Sequence, residues 1–184
     1  MGAGLEREIK LRYGSAAEAR QAITATGATL RQARRLQDDR LLDSGTTLRA
    51  IRSVLRVRTE AGRSRLTFKG PPQPSTMKLR EELETEVHDG DVLLALLARL
   101  GFQVWFRYQK YREEYARGDV IVALDETPIG TFVELEGSEA GITMLAEALG
   151  RGQDEYILDS YRGLFVRACQ ATGAPGTDML FDAP

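Results

Sequence analysis

Strand-like runs in the sequence set like charges two residues apart, among them Glu6 with Glu8, Arg56 with Arg58, and Glu134 with Glu136. Residues i and i+2 of an extended strand point to the same side, so each pair shares a face. Like charges at that spacing repel, and a protein retains them where something of opposite charge sits between. Paired carboxylates suit Mg²⁺ or Mn²⁺, hard cations that prefer oxygen ligands. Clustered arginines and lysines suit phosphate, because guanidinium groups bond its oxygens in bidentate fashion. Metal ions and several phosphates together describe a nucleotide-like or polyphosphate ligand.

The same split recurs along the chain. In LEREIKLRY, Glu6, Glu8 and Lys10 alternate with Ile9 and Leu11. In LRVR, Arg56 and Arg58 oppose Leu55 and Val57, and in LTFKG, Lys69 opposes Leu66 and Phe68. Arg80, Glu82, Glu84 and Glu86 share one face of LREELETEV, while Leu79, Leu83 and Val87 take the other. Lys110 and Arg112 alternate with Tyr111 and Tyr115, and Glu134 and Glu136 with Val133 and Leu135. For any single strand, the simple explanation is a charged face in water over an apolar face on helices. Six segments with the same parity, carrying almost only Glu, Arg and Lys, favour a closed sheet whose charged faces meet in an enclosed channel. Buried charge is costly unless paired, and these faces hold both signs.

The elements that must position these residues are legible. Strand-like runs fall at about 5–12, 30–42, 54–60, 64–69, 78–87, 103–115, 119–125 and 131–137. Short links at EAGRS and ARGD predict hairpins, hence antiparallel pairing. PPQPS (Pro71 to Ser75) reads as a loop. Four helices are expected: Ser15, with Glu18 in a capping box, to Gly27; from near Asp91 to Gly101; after Ser138 to Gly150; and from Ser160 to near Gly173. Their apolar composition needs the oily strand faces as partners, and they show no apolar surplus from which to infer a dimer. The tail 174–184 is expected on the surface. The expectation is one domain over 1–184, with a barrel core at about 5–137 and C-terminal helices at about 138–173.

Bulk properties narrow the function classes. With 25 basic and 27 acidic residues the net charge is -2, so no global field draws nucleic acid or an anionic membrane. No apolar run fits a signal peptide or a membrane span, and the chain reads as cytoplasmic. Cys169 is the only cysteine and His88 the only histidine, which removes disulfides and Cys/His metal clusters from consideration.

Glu6-Arg-Glu8-Ile-Lys10 resembles the ExExK signature of the CYTH proteins, also called triphosphate tunnel metalloenzymes. The resemblance continues in order through LRVR, LTFKGP, Arg80-x-Glu82-x-Glu84, Lys110-x-Arg112, Asp125, GTFVELE and Ser160-Tyr161, spanning residues 6–161. It implies an α+β fold: an eight-stranded antiparallel closed β-barrel, open as a tunnel, with helices packed outside. It also implies roles. Glu6, Glu8, Glu134 and Glu136 would hold Mg²⁺ or Mn²⁺. Lys10, Arg56, Arg58, Lys69 and Arg112 would grip a triphosphate, with Lys110 beside them. Asp125, Arg80 and Glu82 would orient water, metal or the basic ligands. RLLDSG departs from the aromatic-Asp-Thr the family often carries on its second strand, which removes one stacking contact for an organic base. Trp105 is expected to pack rather than to stack on a ligand.

The reading that follows is metal-dependent hydrolysis of a triphosphate, a small-molecule partner, to diphosphate and phosphate. The alternatives are a class IV-type adenylyl cyclase, a non-catalytic polyphosphate- or nucleotide-binding module, and a structural domain with charged solvent faces. The physiological triphosphate, the choice of metal and the oligomeric state stay open.

Overall fold

The computed structural model describes residues 4–182, so Met1 to Ala3 and the last two residues of the expected tail lie outside the described residues. The strands are β1 (Gly4–Tyr13), β2 (Thr29–Asp43), β3 (Val54–Glu60), β4 (Arg63–Lys69), β5 (Lys78–Val87), β6 (Gln103–Arg117), β7 (Val120–Thr127) and β8 (Gly130–Glu136). The helices are α1 (Ala16–Ala25), α2 (Thr47–Ala50), α3 (Gly90–Arg99), α4 (Glu139–Ala148) and α5 (Tyr161–Thr172), with a short 3₁₀ turn at Gln153–Glu155. The strands close into an antiparallel barrel in the order β1-β5-β4-β3-β2-β6-β7-β8, with β8 paired back to β1. This is the α+β barrel expected from the charge parity and the family resemblance.

Through most of β1, β7 and β8 both faces of the barrel wall are buried. Outward-facing Ile9, Leu11, Val122, Leu124, Val133 and Leu135 pack against Ala19 and Ile23 of α1 and Ile142, Leu145 and Ala146 of α4. Each such side chain contributes about 1.5–3 kcal/mol through burial. Leu42 and Val57 likewise sit under Leu97 of α3. The helices begin where polar caps stand: the side chains of Ser15, Asp89, Ser138 and Ser160 accept from the backbone N–H groups of Glu18, Val92, Gly141 and Gly163.

One end of the barrel is filled by an apolar floor. Leu41, Phe106, Tyr108 and Phe132 have inward parity and pack with Tyr161, Leu164 and Phe165 of α5 and with Met179. At the opposite end, β3 and β4 are joined by Ala61 and Gly62, whose φ angles are 48° and 76°. Positive φ at both central positions gives a type I′ turn, whose twist matches a tight hairpin.

Three expectations need correction. α2 has only four residues and lacks the repeated apolar spacing that marks a helix in sequence; Asp43, which accepts from the Leu48 and Arg49 N–H groups at 2.9 and 3.1 Å, holds it. The tail does not simply lie on the surface. Met179 is wholly buried, and its backbone bonds Arg107 and Gln109 at 3.0 and 2.8 Å, along the stretch of β6 that precedes its pairing with β7. The helices also show an apolar surplus: Val92, Leu96 and Leu100, at and just beyond α3, are 54%, 56% and 72% exposed. Among the described residues no helix is long and apolar enough to cross a membrane.

Candidate functional site

Barrel order decides which residues face one another across the lumen. In a closed ring of eight, β8, β1 and β5 stand opposite β3, β2 and β6. The first wall carries the acids Glu6, Glu8, Glu82, Glu134 and Glu136 with the bases Lys10, Lys78 and Arg80 among them; the second carries Arg56, Arg58, Lys110 and Arg112 around Asp39. Ladder register brings neighbours together along the first wall, where Glu8 lies beside Glu136, Lys10 beside Glu134 and Glu6 beside Arg80, and at its border with β4, where Lys69 lies beside Glu82.

The lumen is laced with ion pairs. Lys69 Nζ sits 2.6 Å from a Glu6 oxygen and 2.7 Å from Glu82. Lys10 Nζ, 2% exposed, donates to Glu8 at 2.9 Å and lies 3.2 Å from Glu134. Lys78 also donates to Glu8, and Arg112 to Glu134. On the far wall, Asp39 accepts from Arg58 at 2.8 and 3.1 Å and lies 3.4 Å from Arg56. Asp125 accepts from Lys110 at 2.9 Å, from Arg112 at 2.7 and 2.5 Å, and from the Tyr161 hydroxyl at 2.6 Å. Asp39 and Asp125 are fully buried, so each like-charged basic pair is held by an acid beneath it.

These partners shape the ionisation of the site. Burial opposes charge on Glu8 and Glu134, but Lys10 and the neighbouring bases win and hold both below the usual carboxylate range. Against a similar desolvation, Lys69 draws Glu82 down to about 2. Burial and the adjacent Arg112 push Lys110 down to about 8. Glu136 goes the other way: partial loss of hydration and the charges of Glu6, Glu8 and Glu82 push it up to about 7. Burial likewise raises Glu6, with Glu8 and Glu82 adding to it against the pull of Lys69.

All thirteen residues expected in the site lie on the barrel strands with inward parity. They divide by what they touch. Arg80 Nε and Nη2 donate to the backbone carbonyls of Gly70 and Arg52, both at 2.8 Å, so its guanidinium ties two loops together. Among the described residues no three acidic, histidine or cysteine side chains gather as a ready-made chelate. Glu6, Glu8 and Glu134 are instead held by lysines and arginines, while Glu136 has no ion-pair partner among the described residues. The donor set nevertheless fits a hard divalent cation. It is all carboxylate oxygen, and burial together with neighbouring carboxylates raises the pKa of Glu6 and Glu136, a cost of ionisation that a cation would relieve.

Sequence reasoning missed Asp39, Lys78 and Tyr161. Lys78 shares the parity of Arg80 and Glu82 and was legible on that ground. Asp39 was obscured because β2 carries register shifts between Leu30 and Arg35, which break the alternation in LRQARRLQDD. Tyr161 stands at the first position of α5, with the Lys10 and Lys110 ammonium groups 5.3 and 4.7 Å from its ring centroid. No local periodicity places a helix start inside a barrel. Trp105 has outward parity and is sandwiched by the guanidinium groups of Arg49 and Arg162, 4.5 and 4.6 Å from the ring centroid, so it packs outside the lumen.

Comparison with known proteins points in one direction. The family model described as CYTH domain matches residues 4–155. A Methanocaldococcus jannaschii protein that carries a provisional adenylate cyclase name is 32% identical over 125 residues, covering 60% of this chain and 71% of that one. A solved protein of Pyrococcus horikoshii superposes with a TM-score of 0.76 at 26% identity, over 89% of this chain and 99% of its own. A Hippeastrum protein described as a provisional adenylyl cyclase with a dominant triphosphatase activity gives 0.65 at 18% identity, over 93% and 96% of the two chains; that likeness is one of fold.

Proposed function

The chain belongs to the CYTH domain family, and on that premise we propose that it is a divalent-metal-dependent triphosphatase, cleaving tripolyphosphate or an organic triphosphate to diphosphate and phosphate. The family's chemistry is that of triphosphate tunnel metalloenzymes, which implies a divalent metal; Mg²⁺ and Mn²⁺ both suit the oxygen donors here. The observation that carries the reading is the opposition of an acidic wall to a basic one inside a closed barrel.

Bound at Glu6, Glu8, Glu134 and Glu136, the cation would neutralise phosphate charge and lower the pKa of an attacking water. The chain's own residues do the rest. Arg56 and Arg58 stand across the lumen to take phosphoryl oxygens. Lys10, Lys69 and Arg112 exchange carboxylate partners for phosphate ones, which releases Glu6, Glu8 and Glu134 toward the cation. Asp39 and Asp125 keep the guanidinium groups in place and charged. Positioning and electrostatic stabilisation supply most of the catalysis in phosphoryl transfer.

The test is phosphate release from tripolyphosphate, thiamine triphosphate and ATP, with and without divalent metal. Glu6→Ala and Glu134→Ala should each lower turnover by about two to three orders of magnitude while leaving the circular dichroism spectrum unchanged. Near-normal rates in both variants would sink the reading. Cyclic AMP from ATP and Mn²⁺ would favour the cyclase instead, and tight tripolyphosphate binding with no turnover a binding module.

A further inference from the structure

The end of the barrel away from the floor opens beside the β3–β4 hairpin into a cavity of about 410 Å³. Its charged lining is Arg35, Arg58, Glu60, Arg63, Arg65 and Glu86, with no aromatic side chain among the described lining residues. Arg58 lines this cavity and also belongs to the basic wall of the lumen, so the two sites share a side chain. We propose that this arginine-lined mouth is a subsite for phosphoryl groups beyond the third, so that the protein engages linear polyphosphate longer than tripolyphosphate. The inference rests on the triphosphate reading of the lumen.

The lining carries four arginines against two glutamates. Both acids and three of the arginines are already engaged: Arg35 with Glu60 and Glu114, Arg58 with Asp39, and Arg65 with Glu84 at 3.0 Å and Glu86 at 3.7 Å. Arg63 has no acidic partner among the described residues and its side chain is exposed, so it presents an uncompensated guanidinium to whatever enters. Such a group binds phosphate in bidentate fashion. A nucleoside or thiazolium ring would want an aromatic wall to stack on, and Ala61 is the one apolar residue among the described lining residues. The hairpin that aims Arg58, Arg63 and Arg65 is set by Ala61 at φ 48°, a left-handed conformation uncommon for a residue with a side chain. That geometry holds the three guanidinium groups around one opening rather than leaving them on a mobile loop.

Calorimetric titration of the full chain with tripolyphosphate and with a longer linear polyphosphate, both without metal, tests the subsite apart from turnover. The wild type should bind the longer chain more tightly. Arg63→Ala should weaken the longer chain by about tenfold, and Arg63→Glu by more, with tripolyphosphate changed by less than about twofold. Because Arg63 is exposed and unpaired, neither variant should shift the melting temperature. Equal weakening of both ligands would overturn the proposal, as would no change in either. A chain-length preference that Arg63 controls, in a protein that releases no phosphate, would uphold the mouth subsite and sink the triphosphatase instead.

Discussion

At the residue scale, Glu136 stands out among the acids of the lumen as having no ion-pair partner among the described residues. Partial dehydration and the charges of Glu6, Glu8 and Glu82 raise it from the ordinary 4.5 to about 7, so the folded state holds its proton more tightly than the unfolded chain does. The sign follows from linkage: its ionised form costs stability above about 7, and the cost fades as pH falls toward 4.5. Glu136→Gln should therefore stabilise the metal-free protein to urea above neutrality, with a gain that shrinks on acidification. A gain independent of pH would mean that carboxylate crowding is not the cause. Glu82 behaves oppositely. Its carboxylate, drawn to about 2 by Lys69, stabilises the fold above 4.5 and loses that contribution as pH falls toward 2. The same chemistry explains why the charged pairs were legible before the fold was known. Alternation alone put Glu6 with Glu8 and Arg56 with Arg58, whereas the in-chain bases Lys69 and Lys78 that answer the acids come from other strands, and only tertiary register reveals those contacts.

At the element scale, the strands were nearly all readable because charge and apolarity alternate with period two wherever a wall has two buried faces. What escaped was whatever does not alternate: the four-residue α2, the shifted start of β2, and the tail segment around Met179 that docks on β6. α5 shows how an element reaches the site from outside the barrel. Ser160 caps it, accepting from the Gly163 N–H at 3.1 Å, and the next residue delivers its hydroxyl to Asp125. Ser160→Ala should cost about 1 kcal/mol. Tyr161→Phe should cost about 1.5–3 kcal/mol, the range for hydrogen bonds to charged groups. Since cap and hydroxyl share one helical turn, the double variant should depart from additivity in urea denaturation. Simple addition of the two losses would show that the cap does not position Tyr161.

At the scale of the whole molecule, the lumen is a network in which acids and bases answer one another until a ligand divides them. Lys10 bridges Glu8 and Glu134, and Arg112 bridges Asp125 and Glu134, so a polyanion that draws these bases away uncovers carboxylates for a cation. Metal and tripolyphosphate should accordingly stabilise the fold together by more than the sum of each alone. Saturation at a hundredfold excess over Kd contributes about 2.7 kcal/mol, which for a chain of this size raises the melting temperature by roughly 5–10 °C. Strictly additive shifts in a thermal melt would argue that the two ligands do not share these side chains. The barrel itself could be inferred from six segments of matching parity; the pairing of opposed walls could not, because it depends on a strand order in which β2 sits between β3 and β6.

The packed rings of Phe106, Phe132 and Tyr161 turn a tube into a cul-de-sac. Whatever enters has one door, and must back out through it before the next molecule comes in. On the proposed activity, a long chain would therefore be shortened only from the end it inserts, one visit at a time, and never threaded from side to side.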